Sequence, residues 1–245
     1  MKLAVFNNKG GVGKTTISII LTQIALKKGL KVLGIDQDEQ ANYSTSMRYL
    51  KAKPDYRDLF RLETVINDKV LAYKYDVMIV DCPPGINDRS RSAITNADIV
   101  IIPVRPDLYS FMHISKILQK SGDKHYRQIP LVKVGFSDGG IASRKINDEI
   151  LTKGYRVIGD LPIHKAINDN LSMGEAKWWF KGMTEASRKP FELMYTRLNL
   201  LYAEITAIRE KKAEEKRNQD NENIKPDYYD NPENPDIQML GVKKG

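Results

Sequence analysis

Six short runs rich in Val and Ile constrain the fold of this chain more than any other feature. They are KLAVF (2–6), KVLGID (31–36), DVMIVD (76–81), DIVIIP (98–103), PLVKVGF (130–136) and YRVIGDLP (155–162). Little polar alternation interrupts them, as expected of strands buried on both faces of a parallel sheet. Segments of helical length separate the runs. The clearest, KTTISIILTQIALKKG (14–29), ends in two lysines and a glycine, in the manner of a helix C-terminus. Repeated strand–helix alternation predicts an α/β fold: a doubly wound, mostly parallel sheet flanked by helices. From Lys189 onward Phe191, Met194, Leu198, Leu201, Ile205 and Ile208 recur at spacings of three and four. That seam predicts a long C-terminal helix with one buried face, docked on its own sheet in preference to a dimer partner. After about Lys216 the chain turns to Asn, Asp, Glu and Pro, which bury too little apolar surface to offset the entropy of ordering. The expected organisation is therefore one domain over 1–216 and an acidic, Asn/Pro-rich disordered tail over 217–245.

Composition narrows the function classes. The apolar runs fall far short of the ~18 residues of a membrane helix, and the N-terminus reads as a buried strand and not as a signal peptide. A cytoplasmic protein is expected. A lone cysteine, Cys82, excludes an intrachain disulfide and any cluster that draws several thiolates from one chain. The formal net charge is +8, but residues 218–240 hold six acidic residues against one lysine, and with two lysines in the last five residues this leaves +11 on 1–217. A basic body of that kind attracts a polyanion, nucleic acid ahead of an anionic membrane surface. A solvated Lys-rich surface is the alternative. In KWWFKG (177–182) aromatics interleave with lysines, a pattern that suits contact with DNA or a protein as well as it suits rings packed into a core.

Between the first strand and the first helix lies NKGGVGKTT (8–16). A loop in that context aims backbone N–H groups and the positive helix end at whatever sits above it, which favours phosphate. Gly10, Gly11 and Gly13 let the backbone approach closely, Lys14 would reach the terminal phosphates, and the Thr15 hydroxyl would ligate Mg²⁺. The usual spacing G-x-x-x-x-G-K-[ST] would place its first glycine where this chain has Asn8, and it has no use for the following Lys9. Phosphoryl transfer also needs carboxylates to hold the metal and position water. Asp36, Asp38 and Asp81 end or follow two of the apolar runs, so a parallel sheet brings them to the same carboxyl edge as the loop.

NKGGVGKTT resembles the deviant Walker A motif of the ParA/MinD group of P-loop ATPases, in which a lysine precedes the glycine pair. DQDEQAN (36–42) is similar to that group's second signature, VDCPPG (80–85) to its Walker B and switch segment, and ADIVIIPVRPDLYSF (97–111) to its later strand and Pro-rich turn. The four fall in family order, and the resemblance covers roughly residues 1–210. It implies a P-loop NTPase fold, ATP and Mg²⁺ as cofactors, and slow ATP hydrolysis. It also implies an ATP-sandwich homodimer in which Lys9 reaches the partner's nucleotide. Nucleotide binding would fall to Lys9, Gly10, Gly11, Val12, Gly13, Lys14, Thr15 and Thr16, with Pro162 and His164 of PIHKAINDNLSMG (162–174) on the adenine side. Thr15 would bind Mg²⁺ directly, Asp36 and Asp81 through waters or neighbouring hydrogen bonds. Lys9, Lys14 and Asp38 would be the catalytic residues, with Asp38 orienting the water.

Within the group, iron–sulfur carriers need paired cysteines, and MinD-type proteins end in a basic amphipathic helix where this chain has a Pro/Asp/Asn-rich tail. The remaining resemblance is to small ParA-type ATPases without an N-terminal helix-turn-helix extension, which segregate plasmids or chromosomes or position other cargo. It implies non-specific DNA binding, for which Lys177, Lys181, Arg188, Lys189 and Arg197 are candidates. It further implies a centromere-binding, ParB-like partner that stimulates hydrolysis, and a nucleoid-associated location. A MinD-like regulator at a membrane surface stays open as an alternative, although a membrane is not the expected partner. So does a tyrosine kinase acting on Tyr228 or Tyr229.

Overall fold

In the computed structural model the described residues are 1–51, 56–66, 74–112, 114, 129–163, 167 and 183–223. Seven strands form one sheet: β1 (Lys2–Val5), β2 (Val32–Asp36), β3 (Phe60–Glu63), β4 (Val77–Asp81), β5 (Ile99–Val104), β6 (Leu131–Val134) and β7 (Val157–Leu161). Their spatial order is β3-β2-β4-β1-β5-β6-β7, and every pairing is parallel. Six of them fall on the six apolar runs. The seventh, β3, has the sequence FRLE; only Phe60 is buried, because it is an edge strand with one neighbour.

Six described helices accompany the sheet: α1 (Lys14–Lys27), α2 (Asn42–Lys51), α3 (Asp88–Asn96), α4 (Leu108–Met112), α5 (Ile141–Thr152) and α6 (Glu185–Asn223). The two-residue period of each strand separates two cores. Ala4, Phe6, Leu33, Ile35, Met78, Val80, Val100 and Ile102 share one cluster with Ala93 and Ile94 of α3, Phe111 of α4, and Ile146 and Ile150 of α5. Against the opposite face lies α1, buried on nearly every side from Ile17 to Leu26 and flanked by α2. A helix apolar all round is one enclosed in this way.

The chain divides into two units, Met1–Tyr202 and Ala203–Gly245. In the first, Phe191, Met194, Leu198 and Leu201 of α6 are buried. The Met194 side chain lies where a Cβ on Gly159 of β7 would sit, so this part of the helix docks on its own sheet. In the second, α6 is charged and exposed over Arg209–Asp220, and it stays helical through 217–223, where the sequence reading began its tail. The rest of that tail, with Tyr228 and Tyr229, lies outside the described residues. No helix among the described residues is long and apolar enough to cross a membrane.

Gly34, in the middle of β2, leaves room for the buried ring of Tyr43 of α2, whose hydroxyl shares a 2.7 Å hydrogen bond with Thr22 of α1. A Cβ at position 34 would sit 2.6 Å from Tyr43 Oη and 3.1 Å from Phe60 Cε2. Gly34→Ala is therefore expected to cost about 1–3 kcal/mol of stability, the usual penalty for overpacking. Urea denaturation would read the loss, and Tyr43→Phe in the same chain should recover part of it by removing the overlapping oxygen. An unchanged midpoint in Gly34→Ala would contradict this packing.

Candidate functional site

The site is set by strand register. Val5, the last residue of β1, pairs with Asp81 on one side and Ile101 on the other, and Asp81 pairs in turn with Asp36. The loop after β1 therefore emerges between the ends of β4 and β5, in the crevice where open α/β sheets bind ligands. Asn7, fully buried, anchors it. Its Oδ1 accepts from the Lys9 backbone N–H at 3.0 Å, and its Nδ2 donates to the carbonyls of Pro103 (2.8 Å) and Ser110 (3.2 Å). One amide thus joins the loop to the 103–110 turn. Gly11 and Gly13 have φ of 71° and 101°, which side chains rarely tolerate. Gly13 caps α1 without a side-chain hydrogen bond, and the first turn of the helix has no acidic residue. The first N–H groups of α1 therefore face a ligand space with the positive end of the helix behind them.

Lys14 is almost fully buried, and its Nζ donates to the Lys9 carbonyl at 3.2 Å. Burial pulls its ammonium below the usual lysine range, against the carboxylates of Asp81 and Asp38. Beneath the loop the Asp81 carboxylate, with no exposed surface, accepts from Thr15 Oγ1 at 2.7 Å and from Ser18 Oγ at 2.9 Å. Asp36 does different work. Its Oδ2 accepts from the backbone N–H of Ser44 (2.7 Å) at the start of α2, and its Oδ1 from that of Asp38 (3.2 Å). Asp38 is half-buried; its Oδ1 takes the Gln40 N–H at 3.1 Å, and Oδ2 has no hydrogen bond among the described residues.

A cleft of about 490 Å³ gathers Gly10 to Thr16, Asp38, Pro84, Arg105 and Pro162, with an apolar side formed by Val134, Ile163, Ile167 and Phe191. Lys9 does not line it. Its ammonium pairs with Asp107 Oδ1 at 2.6 Å and lies 6.0 Å from the Tyr109 ring centroid. Burial pushes the Asp107 carboxyl up, but hydrogen bonds from Lys9 and the Ser110 backbone outweigh it and hold the group below the usual carboxylate range.

Thr15 and the Asp81 carboxylate form an all-oxygen donor set, which suits Mg²⁺. Among the described residues no three His, Cys, Asp or Glu side chains converge to cage a metal. That also suits Mg²⁺, which binds through one or two protein oxygens together with phosphates and water. Cys82 is buried, and burial pushes its thiol up, so it is no nucleophile.

Lys189 and Arg197 on α6 are exposed and line one shallow groove beside Asp160 of β7, whereas Arg188 is half-buried. Lys177, Lys181, the rest of KWWFKG and His164 lie outside the described residues. Sequence reasoning missed Ser18, Asp107 and Arg105. Ser18, three residues after Thr15, shares its helix face, and that spacing was the available signal. Arg105 and Asp107 were visible only as part of a longer motif.

Burial raises the Asp81 carboxyl to about 7, opposed by the Thr15 and Ser18 hydrogen bonds and reinforced by Asp36, whereas an unfolded aspartate titrates near about 4. The folded state therefore holds this proton more tightly, so the group costs stability as pH rises from about 4 to about 7, and most above that. Asp81→Asn can accept from Thr15 and donate to Ser18, which then donates to the Lys14 carbonyl. Free of nucleotide and metal, the variant should unfold at a higher temperature than the parent at pH 8, with the gap narrowing at pH 5. A variant less stable than the parent at pH 8 would contradict this account.

A family model for the AAA domain matches residues 1–72 and 59–127, together just over half of the 245 residues. The sporulation initiation inhibitor Soj of Bacillus subtilis (strain 168) is 28% identical over 158 residues, 47% of this chain and 62% of its own length. The chromosome partitioning protein ParA of Myxococcus xanthus is 27% identical over 159 residues, 47% of this chain and 56% of its own length. The chain thus spans roughly 60% of the length of these two relatives. Two solved structures share the fold. One is the MinC:MinD cell division complex of Aquifex aeolicus, with TM-score 0.63, 24% identity, and coverage of 80% of this chain and 94% of that one. The other is a Borrelia burgdorferi B31 protein assigned to plasmid partition and bound to AMPPNP, with TM-score 0.62, 21% identity, and coverage of 80% and 97%. With the lysine-bearing loop, the Asp36–Asp38 segment and Asp81 on one sheet edge, these matches place the chain in the ParA/MinD family of P-loop ATPases, close to the ParA-type partition ATPases.

Proposed function

We propose that the protein is a ParA-type ATPase that closes into a dimer around two ATP molecules, binds DNA non-specifically in that state, and segregates a plasmid, chromosome or other cargo. The observation that carries this reading is the position of Lys9. Lys14 already lies along the cleft of its own chain, while Lys9 is held outside that cleft by Asp107. A second loop lysine aimed outward serves a nucleotide bound to another protomer. Side chains of Lys9 and Asp107 are 37% and 33% exposed, and an ion pair so open to solvent is worth at most about 1 kcal/mol. Releasing Lys9 to a phosphate costs little.

The N–H groups of Gly10 to Thr16 cradle the phosphates, and Lys14 transfers its ammonium from the Lys9 carbonyl to phosphate oxygens. Thr15 would bind Mg²⁺ directly, with Asp36 and Asp81 acting through waters or neighbouring hydrogen bonds, and the ion would neutralise charge on the phosphate oxygens. Asp38, with one carboxylate oxygen unengaged, orients the attacking water. Pro162 and the apolar side of the cleft receive the base, and the sequence resemblance adds His164 as an adenine-side candidate. Turnover is slow until the dimer and a ParB-like, centromere-binding partner complete the site. Lys177, Lys181, Lys189 and Arg197, with Arg188 contributing less, supply phosphate contacts to DNA. The protein acts in the cytoplasm, on the nucleoid.

Retention on random-sequence DNA is expected with ATP and not with ADP, and affinity should fall more than tenfold between ~50 and ~200 mM salt, as phosphate contacts require. Asp38→Ala should keep ATP and DNA binding and lose hydrolysis. ATP-dependent sedimentation with anionic liposomes without DNA retention would favour a membrane-surface role and overturn this one; normal turnover in Asp38→Ala would remove the assigned role of that residue.

A further inference from the structure

Three cations converge on the phosphate loop, and two of them have an evident employment. Lys14 rests on the Lys9 carbonyl and Lys9 on Asp107. The third is Arg105, the residue immediately after the buried strand β5, whose Nη1 lies 3.4 Å from the Gly11 carbonyl. That is a long, weak contact. No carboxylate pairs with Arg105 among the described residues. A guanidinium carries five N–H donors matched to oxyanions, and here most of them are unspent at the wall of the nucleotide cleft.

The placement is built and not incidental. Ser110 Oγ accepts from the Arg105 N–H at 3.2 Å and donates to its carbonyl at 2.8 Å. Buried Asn7 ties both Pro103 and Ser110 to the loop itself. Pro106 biases the Arg105 backbone away from the helical region. Such a rigid support keeps the side chain over the loop at little entropic cost when a ligand arrives. The Gly11 carbonyl occupies, for Arg105, the role the Lys9 carbonyl occupies for Lys14: a weak acceptor that a phosphoryl oxygen can replace.

We infer that Arg105 is a third phosphate-binding cation of the site, forming a charge-assisted hydrogen bond to a nucleotide phosphate. The inference rests on the ATPase reading above. Its ligand chemistry is a phosphoryl oxygen, supplied by the nucleotide of its own chain or by that of a partner across the dimer. The contact would be stronger than an equivalent neutral one, and replacing it by Lys would keep the charge and lose the fork.

The test is nucleotide affinity of the full chain with Mg²⁺ and a non-hydrolysable ATP analogue. Arg105→Ala should bind it about tenfold or more weakly, Arg105→Lys should fall between the two, and the unfolding temperature of nucleotide-free Arg105→Ala should match the parent. The source of the phosphate is read in a Lys9→Ala background, which is expected to remain monomeric. A loss that persists there assigns the contact to the chain's own nucleotide. A loss confined to protein that doubles its mass with the analogue assigns it to the partner's. Affinity within twofold of the parent in both backgrounds would overturn the inference and leave the ATPase reading intact. A parent protein that binds no ATP would overturn both.

Discussion

The buried carboxylate of Asp81 is the constraint on which the rest of the site depends. It ends the interior strand β4, in register with Val5 and Asp36, and takes the hydroxyls of Thr15 and Ser18 from α1. Those two bonds pin the N-terminal turn of α1 to the carboxyl edge of the sheet. The loop that precedes α1 then has only one path, out between β4 and β5. A buried charge is costly unless paired or hydrogen-bonded, and here burial raises its pKa to about 7 in spite of two hydroxyl donors. The stability sacrificed at that position leaves a carboxylate beside Thr15, where a divalent cation would be welcome.

Above Asp81 the loop is satisfied by its own backbone. Lys14 lies on the Lys9 carbonyl, Arg105 on that of Gly11, and Lys9 on Asp107. Each contact is long or half-exposed, and Lys14 and Arg105 line the cleft over the glycines while Lys9 lies outside it. On the proposed reading, Lys14 and Arg105 would exchange neutral carbonyl acceptors for phosphate oxygens with little reorganisation. Asn7 coordinates the set by fixing the loop and the 103–110 turn with three hydrogen bonds.

Much of this was legible in the sequence, and the exceptions have physical causes. Strands buried on both faces announce themselves as continuous Val/Ile runs, so the six runs landed on strands. Edge strand β3 buries only Phe60 and leaves no such run. The aspartates at strand ends were legible as a group, but not their division of labour. Asp36 caps the start of α2 through the Ser44 N–H, while Asp81 faces Thr15, a difference set by backbone geometry that composition does not encode. Likewise Arg105 and Asp107 acquire meaning only when β5 is seen to lie beside β1. The apolar seam of α6 was readable from spacing alone, and Gly159, where Met194 packs, was not.

The central claim is that Lys9 serves a nucleotide held by a second protomer. Its most direct test is the mass of the protein in solution, by sedimentation velocity, with Mg²⁺ and a non-hydrolysable ATP analogue or ADP, for the parent and Lys9→Ala. The account predicts a doubled mass for the parent with the analogue alone, and a Lys9→Ala protein that binds the analogue yet stays monomeric. A Lys9→Ala protein that dimerises with the analogue as readily as the parent would contradict it.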